Sequence, residues 1–201
     1  MRPKVERWRR VWTCLAAGTW LFTAAVTASR WGEESPFGLV LFSLGCVLTG
    51  VGCLGRVWCL AFIAGQKTGV LVTDGPYSLC RNPLYLFSLL AAIGVGLASC
   101  TISIPLLVLV GFGVYYPSVI KSESRRLAEG FGDTYQAYSQ TTPALLPTFG
   151  RFHESAEHVI NSRAFRRGVF DAFWFFVAFA ALHAFSELHH SGVLPALYSL
   201  P

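Results

Sequence analysis

The sequence predicts an all-α integral membrane helical bundle of about five transmembrane helices, and three observations carry that expectation. Hydrophobic residues make up 53% of the 201 residues and charged residues only 13%, about half the charged share usual in a soluble domain. Apolar windows long enough to cross a bilayer recur at 11–29, 37–64, 84–99, 101–120 and 169–185. The cations are also segregated, since 14 of the 16 Lys and Arg fall in 1–10, 65–83 and 121–168. Basic flanks of membrane segments are retained in the cytoplasm. The N-terminus, 65–83 and 121–168 are therefore expected on the cytoplasmic face, in one membrane-embedded domain covering 1–201. The net charge of +5 then reads as topology and attraction to anionic headgroups. No basic stripe interleaved with aromatics suggests a nucleic-acid partner.

The first window follows a basic stretch and has small residues near Ala28, which also fits a signal peptide. Its apolar run is long for such a peptide and carries Trp12 and Trp20, so a retained helix is expected. The second window holds Gly45, Gly50, Gly52 and Gly55, which permit close helix contact in lipid. Its single charge is Arg56, a residue that either snorkels to the headgroups or lines a polar cavity. Windows three and four are separated only by Ser99, Cys100 and Thr101, which predicts a tight antiparallel hairpin with Tyr85 and Glu123 adjacent at its cytoplasmic mouth. Pro117 predicts a kink in the fourth helix. Beyond Lys121 a polar helical stretch is expected to run into the cytoplasm, with a break at Gly130-Phe131-Gly132. The fifth window is the weakest, with Asp171 near its start and His183 near its end, and lying along the interface is the alternative to crossing.

Six cysteines form no C-x-x-C pair, and five of them sit within or beside apolar windows, so they read as small buried hydrophobes. The five histidines show no ligand spacing, and no metal site is expected.

Residues 75–85 hold the chemistry. Pro76 presets a turn, and Gly75 supplies unusual dihedrals or close approach. Pro83 opens a helix where its missing N–H costs nothing, leaving Arg81 and Asn82 at the positive helix end. Arg81 carries forked donors suited to a carboxylate or phosphate; headgroup contact is its other reading.

The pattern Gly75-Pro76-Tyr77-x-x-x-Arg81-Asn82-Pro83-Leu84-Tyr85 resembles the signature of the isoprenylcysteine carboxyl methyltransferase family and its phospholipid methyltransferase relatives. Arg56-Val57-Trp58, Glu123-x-x-x-Leu127, Phe131-Gly132-x-x-Tyr135-x-x-Tyr138 and a closing Pro143 to Pro147 extend it over roughly 40–150. The resemblance implies S-adenosylmethionine as methyl donor in a cytoplasmic-side pocket. Gly69, Val70, Leu71, Val72, Tyr77, Asn82, Pro83, Leu84, Tyr85 and Glu123 would form that pocket, with Arg81 orienting a carboxylate. The chain departs from the family at Asn82, where His is common, at Ser124 in place of a second acid, and at Val119, where eukaryotic members place Arg. An ionised carboxylate needs no general base, so O-methylation of a lipophilic acid entering from the bilayer is the favoured reaction. N- or S-methylation of a headgroup or small acceptor, and a non-catalytic module of the same fold, are the alternatives.

Overall fold

A computed structural model describes residues 27–29, 31, 35–64, 66, 69–157, 159–194 and 198–200. The second to fifth expected helices are all present within them. The first, apart from its last three residues, lies outside the described residues.

Helix α1 (Pro36–Ile63) begins where Ser35 Oγ accepts from the Gly38 N–H at 3.0 Å and Pro36 sets the first turn. Its 28 residues give a length of about 42 Å, more than the hydrocarbon core requires. A single turn, α2 (Pro76–Leu79), precedes α3 (Pro83–Leu97), which packs along α1. Glycines make that approach possible: a Cβ at Gly52 would lie 2.4 Å from the Ala91 nitrogen, and one at Gly55 2.1 Å from the Phe87 ring. Gly45 faces the Gly94 carbonyl in the same way, whereas Gly50 meets open space. In lipid such backbone contact is a main source of helix association.

The hairpin turns at Ala98–Cys100, with Cys100 in the left-handed region at φ 52° and Ser99 Oγ bonded to the Gly96 carbonyl at 2.7 Å. Helix α4 (Ser103–Thr141) then runs 39 residues. Non-helical dihedrals fall at Gly132 (φ 49°, ψ −126°) and not at Pro117. The expected break at Gly130-Phe131-Gly132 is therefore present, two helical stretches meeting at a kink on the residue that tolerates positive φ.

Helix α5 (Ser162–His190) is capped by Asn161, whose Oδ1 accepts from the Ala164 N–H at 3.0 Å. It returns along α1, with Gly168 against Leu60, the Ala172 carbonyl accepting from Cys53 Sγ at 3.5 Å, and Phe179 and His183 against the Phe42 ring. Leu182 closes a core with Val95 and Ala98. The helix therefore follows the length of α1 instead of lying across one end of the bundle. By length and composition α1, α4 and α5 are each able to cross a membrane, while α3 is apolar but shorter. Leu106, Val110 and Val114 on α4 and Phe170, Phe173 and Trp174 on α5 are exposed, an apolar surface of the kind lipid covers.

Two three-residue strands complete the described chain. β1 (Thr27–Ser29) pairs in parallel with β2 (Tyr198–Leu200), Thr27 opposite Tyr198. Ser29 was expected at the end of the first helix. It is extended instead, its Oγ donating to the Cys100 carbonyl at 2.6 Å. One end of the bundle thus gathers β1, β2 and the 98–101 turn; residues 74–85 lie at the other.

Candidate functional site

Gly75 has φ 57°, and a Cβ there would lie 2.4 Å from the Phe62 ring, so both reasons for a glycine apply at once. Ser78 Oγ donates back to the Gly75 carbonyl at 2.6 Å. The turn drives Tyr77 into a cluster with Cys59 and Phe62, against which Val72, Leu84 and Phe87 pack. The Tyr77 hydroxyl is buried and meets no partner among the described residues. Burial, with nearby Cys59 and Glu123 adding, pushes the phenol well above its usual range, so it is a permanent donor at neutral pH. An unsatisfied buried donor is costly, and an acceptor on a bound molecule would relieve it.

Asn82 occupies the cap of α3 without capping it: its Nδ2 donates to the Ala144 carbonyl at 2.8 Å. Pro83 is buried at the first helical position. Arg81 holds the Pro143 carbonyl through its backbone N–H at 2.8 Å and the Tyr135 hydroxyl through Nη1 at 3.3 Å, while its buried Nε has no partner among the described residues. One turn into α3, the Tyr85 hydroxyl donates to Glu123 Oε2 at 2.7 Å, and its ring meets Tyr116 at 5.0 Å. Glu123 also pairs with Arg126 at 3.3 Å through its other oxygen.

The hairpin therefore brings Tyr85 and Glu123 together, and Leu84 and Val72 line the adjacent Tyr77 cluster. Gly69 and Val70 stand exposed, and Leu71 is half-buried; among the described residues the bonds of Glu123 go to Tyr85 and Arg126 instead. Sequence reasoning put no site role on Tyr135 or Tyr138. The bend at Gly132 sets them over the motif, Tyr138 donating to the Tyr77 carbonyl at 2.7 Å. Their spacing of three on one helix face was the available signal. The 143–155 segment, of which only Pro143 to Pro147 entered the resemblance and without a site role, straps the motif down. Thr148 N–H donates to the Leu79 carbonyl at 3.0 Å, Gly75 N–H to the His153 carbonyl at 2.9 Å, and His153 pairs with Asp74 at 3.2 Å. A hollow of about 430 Å³ lies beside this strap, lined by Thr73, Ser78, Tyr138, Arg151 and His153 among others; Tyr85 and Glu123 do not border it.

The chain matches the model of the family described as phospholipid methyltransferase over residues 35–134, a stretch containing α1, α3, the motif and Glu123. It is 34% identical over 199 residues to the cobalt-zinc-cadmium resistance protein CzcN of Cupriavidus metallidurans, covering 99% of this chain and 89% of that one. It is 29% identical over 178 residues to the nickel-cobalt-cadmium resistance protein NccN of Alcaligenes xylosoxydans xylosoxydans, covering 89% and 83%. No solved structure matches.

Proposed function

The chain belongs to the phospholipid methyltransferase family and is a membrane methyltransferase; we propose that it takes S-adenosylmethionine from the cytoplasm and O-methylates a carboxylate on a lipophilic, isoprenylcysteine-like molecule held in the bilayer. The observation that carries this reading is the meeting of Tyr85 and Glu123 across the hairpin, beside a motif loop whose Tyr77 hydroxyl and Arg81 Nε are buried without partners among the described residues. These groups fit the donor: Glu123 offers a carboxylate to its hydroxyls or amine, Tyr77 a hydrogen bond, and the Tyr85 ring a π face for a sulfonium. Bound there, S-adenosylmethionine supplies an electrophilic methyl group.

The residues' work is positional. Transfer of a methyl group is an in-line displacement, so the site must hold acceptor and donor in line and keep water out. The strap over 75–81 fixes the motif backbone. The Tyr77, Phe62 and Phe87 cluster keeps its membrane side apolar. Arg81 orients an acceptor or donor carboxylate through its open Nε, and an ionised acceptor needs no base. Titration calorimetry of the detergent-solubilised protein with S-adenosylmethionine and its demethylated product tests the reading. Saturable heat is expected, and none at millimolar ligand removes it. Mass spectrometry of lipid extracts for a labelled methyl product identifies the acceptor. A carboxylic ester is expected; a labelled amine or thioether replaces O-methylation by N- or S-methylation.

A further inference from the structure

Arg56 lies eight residues before Ala64 at the end of α1, about 12 Å along the helix from that end. A snorkelling side chain would reach back toward Ala64. This one turns inward: Nη1 bonds Ser88 Oγ on α3, and the guanidinium carbon sits 5.4 Å from the centre of the Phe175 ring on α5. Ser88 itself is anchored to the Leu84 carbonyl at 2.5 Å. The Nε of Arg56 is buried and has no acceptor among the described residues. Among the described residues no carboxylate forms an ion pair with this cation. From Pro36 to Thr73, and from Gly75 to Ser122, the sequence contains no Asp or Glu. Asp171, one turn before Phe175, and Tyr116 interact with Arg56 electrostatically, but Asp171 is exposed and forms no ion pair with it among the described residues. A cation held in the helix seam with no carboxylate bonded to it among the described residues is costly and marks a ligand or pathway. Ser88 follows Tyr85 by three residues on α3, so the cation stands about one turn deeper in the bundle than the Tyr85–Glu123 pair.

We propose that Arg56 and Ser88 form an anion site within the bundle that receives the carboxylate of a single-chain lipophilic acid. The seam of α1, α3 and α5 supplies an apolar, aromatic wall for the chain, and the guanidinium fork supplies the charge. A phosphate monoester would share the fork chemistry. The carboxylate is favoured because Arg56 stands about 12 Å along α1 from its motif end, where a single charge is less costly to bury than the double charge of a phosphate monoester. This deepens the methyltransferase reading and rests on it for what the bound acid is used for, though not for the binding itself.

The test uses the full chain in nanodiscs of phosphatidylcholine at pH 8 without cofactor. Binding of the fluorescent fatty acid cis-parinarate above the empty-disc background is competed with palmitate, hexadecanol or hexadecyl phosphate. Palmitate is expected to compete about tenfold or more better than hexadecanol, as a charge-assisted pair predicts. Arg56→Gln should erase that preference, and Arg56→Lys should keep part of it. Ser88→Ala, the milder change, should reduce the preference and guards against a misfolded Arg56→Gln. Equal competition by palmitate and hexadecanol in the wild type, or a preference that survives in a folded Arg56→Gln protein, overturns the site. Superior competition by hexadecyl phosphate overturns the carboxylate assignment. Calorimetry with S-adenosylhomocysteine on the same samples separates the two claims. Cofactor binding with an Arg56-independent acid leaves the methyltransferase standing and removes this site, and the converse leaves this site and removes the methyltransferase.

Discussion

Arg81, Asn82 and Tyr85 lie within five residues, yet each side chain is committed elsewhere: to Tyr135, to the strap at Ala144, and to Glu123. Mutations should therefore separate. Glu123→Gln removes a charged acceptor and should weaken S-adenosylmethionine binding about tenfold or more, measured by calorimetry, while an unchanged affinity would place Glu123 outside the pocket. Arg81→Ala should lower turnover by about two orders of magnitude, as does loss of an oriented donor, with poor rescue by Arg81→Lys because an ammonium lacks the planar fork. Full activity in both would leave Arg81 a headgroup contact. Cys80, fully buried beside them, has its thiol pushed up to about 11 by burial, against a weaker lowering by the Asn82 backbone N–H. It should resist maleimide at pH 8 in the folded protein and react on unfolding. The folded state holds its proton more tightly than the unfolded one, so this group's contribution is intact below about pH 8.5 and declines as pH rises toward 11. Gly75 and Pro83 were legible in sequence because their roles are local dihedral requirements. Tyr135, Tyr138 and His153 were not, because their place depends on where a distant backbone bends.

That bend shows what an element's sequence reveals and what it hides. The length of α1 and the contacts of Gly45, Gly52 and Gly55 follow from local composition, and the second to fifth expected helices formed where the apolar windows stood. The sharp break lies at Gly132, where φ 49° combined with ψ −126° favours a residue without Cβ, whereas Pro117 keeps helical dihedrals. Gly132→Ala should thus strain the bend by about 1 kcal/mol and loosen the tyrosines from the motif, read as faster hydrogen exchange at Tyr77 and Leu79. Wild-type exchange there would show that the strap alone holds the loop. The helix seam offers an internally controlled pair. At Gly52 a methyl would meet the Ala91 backbone at 2.4 Å, while at Gly50 nothing lies within 4 Å. Gly52→Ala should destabilise the protein by about 1–3 kcal/mol, seen as a lowered thermal midpoint in detergent. Gly50→Ala should be neutral or slightly stabilising through helix propensity, and equal effects at both positions would mean that this seam does not carry the packing.

At the scale of the molecule, the arrangement of ends constrains topology. The 98–101 turn, β1 and β2 gather at one end, tied by the Ser29 to Cys100 bond and the β1–β2 pairing, and the motif with its strap occupies the other. Because α5 runs back along α1, residues 198–200 are expected on the membrane face opposite the motif. We propose that the motif face is cytoplasmic, because 7 of the 16 Lys and Arg fall in 121–168 alone. A cysteine at Ser139, in a background without native cysteines, should therefore label only from the cytoplasm of intact cells and one at Ser199 only from outside. Labelling of both from the cytoplasm would mean that α5 re-enters without crossing. Labelling of Ser139→Cys from outside would deny the site a cytoplasmic methyl donor, and the proposed reaction would fail with it. The experiment tests the proposed function as well as orientation, because the proposed soluble donor and bilayer-held acid could meet only if the motif end of the bundle faces the compartment where the donor is made.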